Sequence, residues 1–123
     1  MKVAISASGQ GEGSKIDDRF GRCPYFIMVD TDEMDFKTIE NEHTDKSHGV
    51  GPQVVQSLSE KGVDAVITSN VGPNAHQTLN SAGIKVYKAS GKISDAVDKL
   101  KDGELEELDE KTVKGHFGGG RNR

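Results

Sequence analysis

The stretch VDAVITSN, residues 63–70, is a nearly continuous apolar run between two segments with helical periodicity. Such a run is typical of a strand that is covered on both faces, as in parallel sheets. Each flanking helical segment begins near a proline and ends at a glycine, from Pro52 to Gly62 and from Pro73 to Gly83. A strand enclosed in this way predicts an α/β fold with a layer of helices on each side of the sheet.

The remaining segments continue the alternation of strands and helices. The predicted strands are 2–8, 25–32, 36–42, 63–70 and 84–90, and the predicted helices are 50–61, 73–83 and 93–100. Only residues 33–35 separate the second strand from the third, which predicts an antiparallel hairpin. The apolar residues of 36–42 alternate poorly, as expected of an edge strand.

Right-handed crossovers place the strands that follow helices parallel to the first strand. The predicted architecture is a three-layer α/β fold with about three helices and a mixed five-stranded sheet of order 3-2-1-4-5, in which strand 2 is antiparallel. We expect one domain over residues 1–108. Residues 109–123 contain glycine and charge with little to bury, so we expect a flexible tail.

Charge and cysteine content narrow the function classes. A net charge of −4 supplies no broad basic field, which disfavours a protein that binds duplex nucleic acid. The first residues open directly into a strand pattern, so we expect a cytoplasmic protein with neither a signal peptide nor a membrane partner. One cysteine cannot form an intramolecular disulfide. The oligomeric state is left open.

The predicted topology gathers the unusual residues at one edge. The loops leaving strands 1, 3, 4 and 5 and the loop entering strand 2 meet where open α/β sheets bind ligands. Helix N-termini at this edge favour an anion. The candidate ligand-binding residues there are Gly9, Gly11, Gly13, Gly21, Arg22, Gly49, Gly51, Gly72, Asn74 and Gly91. Glycine-rich loops also serve backbone geometry alone, and the spacing of GQGEG matches neither a phosphate P-loop nor a dinucleotide fingerprint.

One thiol and three imidazoles are the candidate metal ligands. Arg19 and Arg22 precede Cys23 closely, and basic neighbours favour the thiolate form that binds metals. The imidazoles are His43, His48 and His76. A small buried cysteine and solvated surface histidines are the alternative interpretation. The acidic run DGELEELDEK, residues 102–111, is expected to be a solvated segment.

The chain resembles the dinitrogenase iron-molybdenum cofactor biosynthesis domain family, whose members include NifX, NafY and the C-terminal part of NifB. The resemblance covers about residues 2–108. It depends on DDRFGRCPYFIMVD (17–30), on the segment 49–87 with its phrase GVDAVITSNVGPNA, and on SDAVDKL (94–100). It implies a ribonuclease H-like fold. It also implies non-catalytic binding or carriage of iron-molybdenum cofactor, its precursors or related metal–sulfur clusters.

By resemblance, Phe20, Gly21, Cys23 and the loop 43–51 face the cluster, and His76 lies in the matching GPNA helix. The chain lacks the C-x-x-x-C-x-x-C motif of radical-SAM enzymes, so we do not expect it to build clusters. Assembly on a protein typically needs four thiolates. The leading hypothesis is therefore a nitrogenase-accessory-like carrier that holds a preassembled cluster, transiently, between donor and acceptor proteins.

Three alternatives come from other classes of protein. A small-anion or nucleotide sensor would use the same glycine loops without needing Cys23. A ribonuclease H-like nuclease would need converging carboxylates on the central strands, and strand 2–8 has none. A protein-interaction adaptor would use the exposed edge strand 36–42.

Overall fold

A computed structural model of the chain describes residues 1–41 and 50–108, with only the backbone described for 50–52. The strands are β1 (Lys2–Ala7), β2 (Tyr25–Asp30), β3 (Asp35–Glu40), β4 (Ala65–Thr68), β5 (Lys85–Lys88) and β6 (Glu106–Glu107). The helices are α1 (Val50–Glu60), α2 (Pro73–Ser81) and α3 (Ile93–Lys101), and a 3-10 turn spans Phe20–Arg22. None of the helices in the described ranges combines the length and apolar content needed to cross a bilayer.

The strands form one six-stranded mixed sheet of order β3-β2-β1-β4-β5-β6. β1 pairs parallel with β4, and β4 pairs parallel with β5, while β2 is antiparallel to both of its neighbours. Ile5 lies at the centre, opposite Ile27 on one side and Ile67 on the other. The predicted α/β fold and strand order are confirmed, and the topology is of the ribonuclease H-like type.

Two apolar cores lie on opposite faces of the sheet. α1 and α2 enclose one core, and α3 covers the other. Alternate residues of β1 serve both, since Ala4 packs on the α1–α2 side and Val3 and Ile5 pack on the α3 side. Double coverage explains why every residue of β1 after Lys2 is buried.

β3 lies at the end of the strand order, as predicted, and its poor alternation has a simple cause. Phe36 packs against the α3-side core, whereas Ile39 lies on the opposite face near Val54 and Leu58 of α1. Both side chains are only half-buried. Each face of β3 therefore has one partly covered apolar residue, and neither face shows a full hydrophobic stripe.

The acidic segment after α3 was expected to be solvated, and its described acidic side chains are exposed, but the segment also joins the sheet, which was not predicted. Glu106 and Glu107 are exposed but pair with β5 as β6. Leu105 packs on the α3-side core, and Leu108 packs on the α1–α2 core. Two leucines on opposite faces thus fasten a strand whose other side chains are charged.

His76 is buried rather than a surface residue. Its ring lies on α2, and Nε2 donates to the Leu108 carbonyl at 2.9 Å, so this nitrogen carries the proton. The Leu108 amide in turn donates to the Val86 carbonyl. His76 therefore fastens the end of the described chain to α2.

We expect His76→Phe to lower the free energy of unfolding by about 1–2 kcal/mol. The phenyl ring keeps the apolar volume but leaves the Leu108 carbonyl without its donor. Urea unfolding followed by circular dichroism measures the change. Gln77→Ala, at the exposed neighbouring position of α2, is the control and should change stability much less. Equal stability of wild type and His76→Phe would contradict the role of this hydrogen bond.

Candidate functional site

The glycine-rich loop after β1 folds back onto the sheet. The Ser8 amide donates to the Lys15 carbonyl at 3.0 Å, and Ile16 forms a bridge with Ala7. The Ile16 amide donates to the Gly91 carbonyl at 2.8 Å. The loops that leave β1 and β5 are therefore tied together at the edge where the sequence predicted them to meet.

This glycine-rich loop also caps α3. The Ile93 amide donates to the Ser14 carbonyl at 3.0 Å, and the Ser94 amide donates to the Glu12 carbonyl at 3.1 Å. The first amides of a helix are the groups that would bind an anion. The expectation that helix N-termini at this edge favour an anion is thus wrong for α3, because protein carbonyls already accept from two of its first amides.

Two of the candidate glycines are required by the backbone. Gly11 has φ +85° and Gly91 has φ +91°, a region that side chains disfavour. The Gly11 amide donates to Thr38 Oγ1 at 3.0 Å, which links the loop to β3. Gly9 would place a Cβ 3.5 Å from that of Ser14, an ordinary contact, and Gly13 faces open space. Backbone geometry accounts for Gly11 and Gly91, and a ligand role for these four glycines stays a prediction.

The N-terminus of α2 differs from that of α3. Gly72 is its extended cap residue and has no side chain, and Pro73 has no amide hydrogen. Gly72 and Asn74 are both exposed, and a Cβ on Gly72 would meet no atom within 4 Å. Of α2 and α3, whose starts are fully described, α2 is the helix whose predicted anion-binding start stays open at the edge.

The 3-10 turn places Cys23 beneath the same edge. Phe20 is buried and packs edge-to-face on Phe26, with 5.8 Å between the ring centroids. Cys23 is fully buried in the α1–α2 core, and its thiol donates to the Phe20 carbonyl at 3.3 Å. Gly21 is half-buried and Arg22 is exposed between them. The turn thus covers the thiol.

Burial raises the pKa of the Cys23 thiol to about 12. The backbone amide of Ala7 and the charge of Arg19 act in the opposite direction, and Asp17 adds to the rise. The prediction that neighbouring arginines favour the thiolate is therefore wrong for this conformation, because desolvation outweighs them. A role for Cys23 as a ligand stays a prediction and requires the turn to move.

Asn41, which the sequence analysis missed, clamps the turn from the end of β3. The buried side chain donates through Nδ2 to the carbonyls of Cys23 at 2.8 Å and Gly21 at 3.2 Å. The Asn41 amide donates to the Pro24 carbonyl at 3.0 Å. An asparagine at a strand end was the only sequence signal. His43, His48 and Gly49 follow it but lie outside the described residues. Gly51 lies in the stretch 50–52, of which only the backbone is described.

Asp17 and Arg19 form a second feature that the list of candidate residues omitted. Asp17 Oδ1 accepts from the Arg19 amide at 2.8 Å and from Arg19 Nε at 3.0 Å, and Oδ2 accepts from Arg19 Nη2 at 2.7 Å. Ser8 Oγ donates to Oδ2 at 3.1 Å. These hydrogen bonds, chiefly that of the Arg19 side chain, hold the pKa of Asp17 below its usual value although burial opposes them.

The candidate metal ligands are not assembled in the described part of the chain. Within residues 1–41 and 50–108, no three or more His, Cys, Asp or Glu side chains are grouped so that they could hold a metal ion. Nε2 of His76 is engaged with Leu108. The edge instead brings together loops held by backbone hydrogen bonds, a covered thiol and the pair of Asp17 and Arg19.

The sheet order and the loops at its edge define a small α/β domain of the ribonuclease H-like type. The chain belongs to the family described as dinitrogenase iron-molybdenum cofactor, whose profile matches residues 1–103. The resemblance drawn from the sequence is thereby confirmed at the level of the family.

Three relatives show how far the similarity extends. An uncharacterized protein of Methanocaldococcus jannaschii is 31% identical over 113 residues, which cover 89% of this chain and 92% of the relative. The apo form of the orange protein of Desulfovibrio gigas has a TM-score of 0.83 and 34% identity, covering 87% of this chain and 92% of that chain. A Thermotoga protein described as a NifB candidate has a TM-score of 0.75 and 46% identity, with the same coverage.

We expect the Cys23 thiol of the folded protein to react with iodoacetamide at pH 8 at least about 100-fold more slowly than in guanidinium. Burial blocks access, and a pKa of about 12 leaves little thiolate. Mass spectrometry of timed samples measures the rate, and the denatured chain is the control. Rapid labelling under native conditions would contradict the covered thiol.

We expect Asp17→Asn to lower the free energy of unfolding at pH 7 by roughly 1–3 kcal/mol, because charge-assisted hydrogen bonds are lost. The pKa of Asp17 is lowered by folding, so its contribution is present above the unfolded value near 3.8 and is lost as pH falls through the folded value. Urea unfolding between pH 7 and pH 3 should show the two proteins converging only below about pH 4.

Asp98→Asn is the matched control for this pH series. Asp98 is exposed on α3, so the substitution removes the same charge without breaking a buried hydrogen bond. Its stability should follow that of wild type across the pH range. A wild-type advantage over Asp17→Asn that grew as the pH fell would contradict the expected sign.

Proposed function

We propose that this protein is a non-catalytic carrier of a preassembled anionic metal–sulfur cluster of the iron-molybdenum cofactor type. Membership in the cofactor family supports the class of cargo. The similarity to the orange protein adds support, because that protein is described in an apo form and hence takes a bound group. Cluster donor and acceptor proteins are the expected partners.

The observation that carries the proposal is the position of Cys23 at the ligand-binding edge. The thiol lies directly under the 3-10 turn, and Asn41 ties this turn to the end of β3. The chain continues from Asn41 through His43 and His48 to α1. A soft sulfur ligand is therefore tied through Asn41 to the segment of chain that carries two imidazoles.

The number of sulfur ligands favours carriage over assembly. Clusters that are built on a protein are typically held by four thiolates, and this chain has a single cysteine. A cluster that arrives complete needs only one or two protein ligands and a surface that offsets its charge. When the turn opens, the thiol would release its proton to solvent and bind the metal as a thiolate. Cys23, His43, His48 and His76 are the candidates for these one or two ligands.

The internal bonding of the glycine-rich loop disfavours the nucleotide-sensor alternative. Its carbonyls cap α3, and the Gly11 amide is bonded to Thr38. A phosphate cradle would need the amides of this loop, including that of Gly11, to point at the ligand. The remaining candidate contacts of the carrier are Gly9, Gly13, Phe20, Gly21, Arg22, Gly49, Gly51, Gly72 and Asn74, with Gly11 and Gly91 as backbone supports.

Anoxic titration with tetrathiomolybdate, an anionic metal–sulfur probe, tests the carrier function. We expect the visible spectrum to change on binding and the probe to co-elute with wild-type protein in gel filtration. Cys23→Ala and His48→Ala should each weaken binding by about tenfold if these side chains are ligands. No spectral change and no co-elution with wild type would overturn the proposal.

Val55→Ala is the matched control for Cys23→Ala. Val55 is buried in the same α1–α2 core, so its truncation also removes packing but takes away no sulfur. Binding should survive in Val55→Ala. Equal binding by Cys23→Ala and wild type would remove the thiol from the site and leave an anion-binding protein of another kind.

A further inference from the structure

We propose that Arg19 contacts the anionic cargo and that Asp17 is the positioning residue that holds the Arg19 guanidinium at the site. This inference rests on the carrier function proposed above and names the residue pair that would recognise the charge of the cargo. It is carried by a contrast in exposure. The Arg19 side chain is 61% exposed, whereas the Asp17 side chain that it grips is 4% exposed.

The pair has the geometry of a fixed fork. Arg19 Nε and Nη2 donate to different oxygens of Asp17 at 3.0 and 2.7 Å, and the Arg19 amide donates to the same carboxylate. Two parallel hydrogen bonds fix the plane of a guanidinium. No described residue accepts from Nη1, so part of the guanidinium is left to meet a ligand.

Asp17 is itself anchored to the middle of the sheet. Its amide donates to the Ser6 carbonyl at 2.9 Å, and its carbonyl accepts from Ser6 Oγ at 2.7 Å. Ser6 Oγ also lies 2.9 Å from Thr68 Oγ1, which links β1 to β4. Hydrogen bonds to two central strands therefore fix the position of Asp17, and Asp17 in turn fixes the exposed Arg19 guanidinium. Binding groups are most precise when a supporting shell of this kind holds them.

The position of the pair matches the proposed cargo site. The Arg19 carbonyl accepts from the Arg22 amide at 2.9 Å, so Arg19 begins the 3-10 turn that covers Cys23. The charges of Asp17 and Arg19 both act on the Cys23 thiol, which places all three groups within electrostatic reach of one another.

A local cation is needed because the molecule as a whole repels anions. The net charge is −4, and Asp18 is an exposed acid directly beside Arg19. Long-range attraction therefore cannot bring an anionic cluster to this edge. A guanidinium held in place loses little conformational freedom on binding, which increases affinity without adding net charge.

The test measures tetrathiomolybdate affinity in five variants under anoxic conditions. Arg19→Gln should weaken binding about tenfold or more, since a charged donor is lost. Lys99→Gln, at an exposed position in the last turn of α3, removes the same charge and should change affinity less than about twofold. Equal affinities of wild type and Arg19→Gln would overturn the inference.

Asp17→Asn separates positioning from simple charge, because the two predict opposite signs. This substitution makes the protein less acidic, so a pure charge effect would strengthen the binding of an anion. A positioning role predicts weaker binding, by about threefold to tenfold, as the guanidinium loses its fixed direction. In an Arg19→Gln background, Asp17→Asn should cause no further loss. Tighter binding by Asp17→Asn would overturn the positioning role.

Arg19→Lys covers the case in which Asp17→Asn fails to fold. Lysine keeps the charge but cannot bridge both carboxylate oxygens as a planar fork. We expect binding weaker than wild type and stronger than Arg19→Gln, and wild-type affinity in Arg19→Lys would overturn the positioning role. If wild type binds no probe, the carrier function fails and this inference fails with it. If wild type binds and Arg19→Gln binds equally well, only the inference fails.

Discussion

The double pairing of β1 is the constraint on which the rest of the structure depends. Its backbone bonds to β2 on one side and β4 on the other, while its side chains alternate between the two cores. Neither core is complete without it. The strand also ends at the edge that carries the glycine-rich loop, so the position of the site follows from the same pairing.

Sheet order could be predicted from sequence because it depends on local periodicity and on the handedness of crossovers. The apolar run around β4 and the stripe along α3 both identified their elements. β6 escaped this reasoning, since a two-residue strand between Leu105 and Leu108 has no period to detect. Its existence depends on contacts with two cores that form only in the folded chain.

The candidate site was less predictable than the fold. The positions of its loops followed from topology, but the hydrogen bonds that decide their chemistry join distant residues. Asn41 lies 18 residues from the Cys23 carbonyl that it clamps. The carbonyl of Ser14 caps α3 by accepting from the amide of Ile93, which lies far along the chain from Ser14. The pattern DDR was visible in the sequence, yet only the fold shows that Asp17 is the buried carboxylate and Asp18 the exposed one.

Burial of the Cys23 thiol affects how readily the protein without its cargo is oxidised. Oxidation to sulfenic acid and the higher acids follows thiolate character and exposure. Cys23 has neither in the folded chain, since it is fully buried and its pKa is raised to about 12. The empty protein can therefore persist in the presence of peroxides with its single thiol intact. The same 3-10 turn that covers the site also protects Cys23 from oxidation.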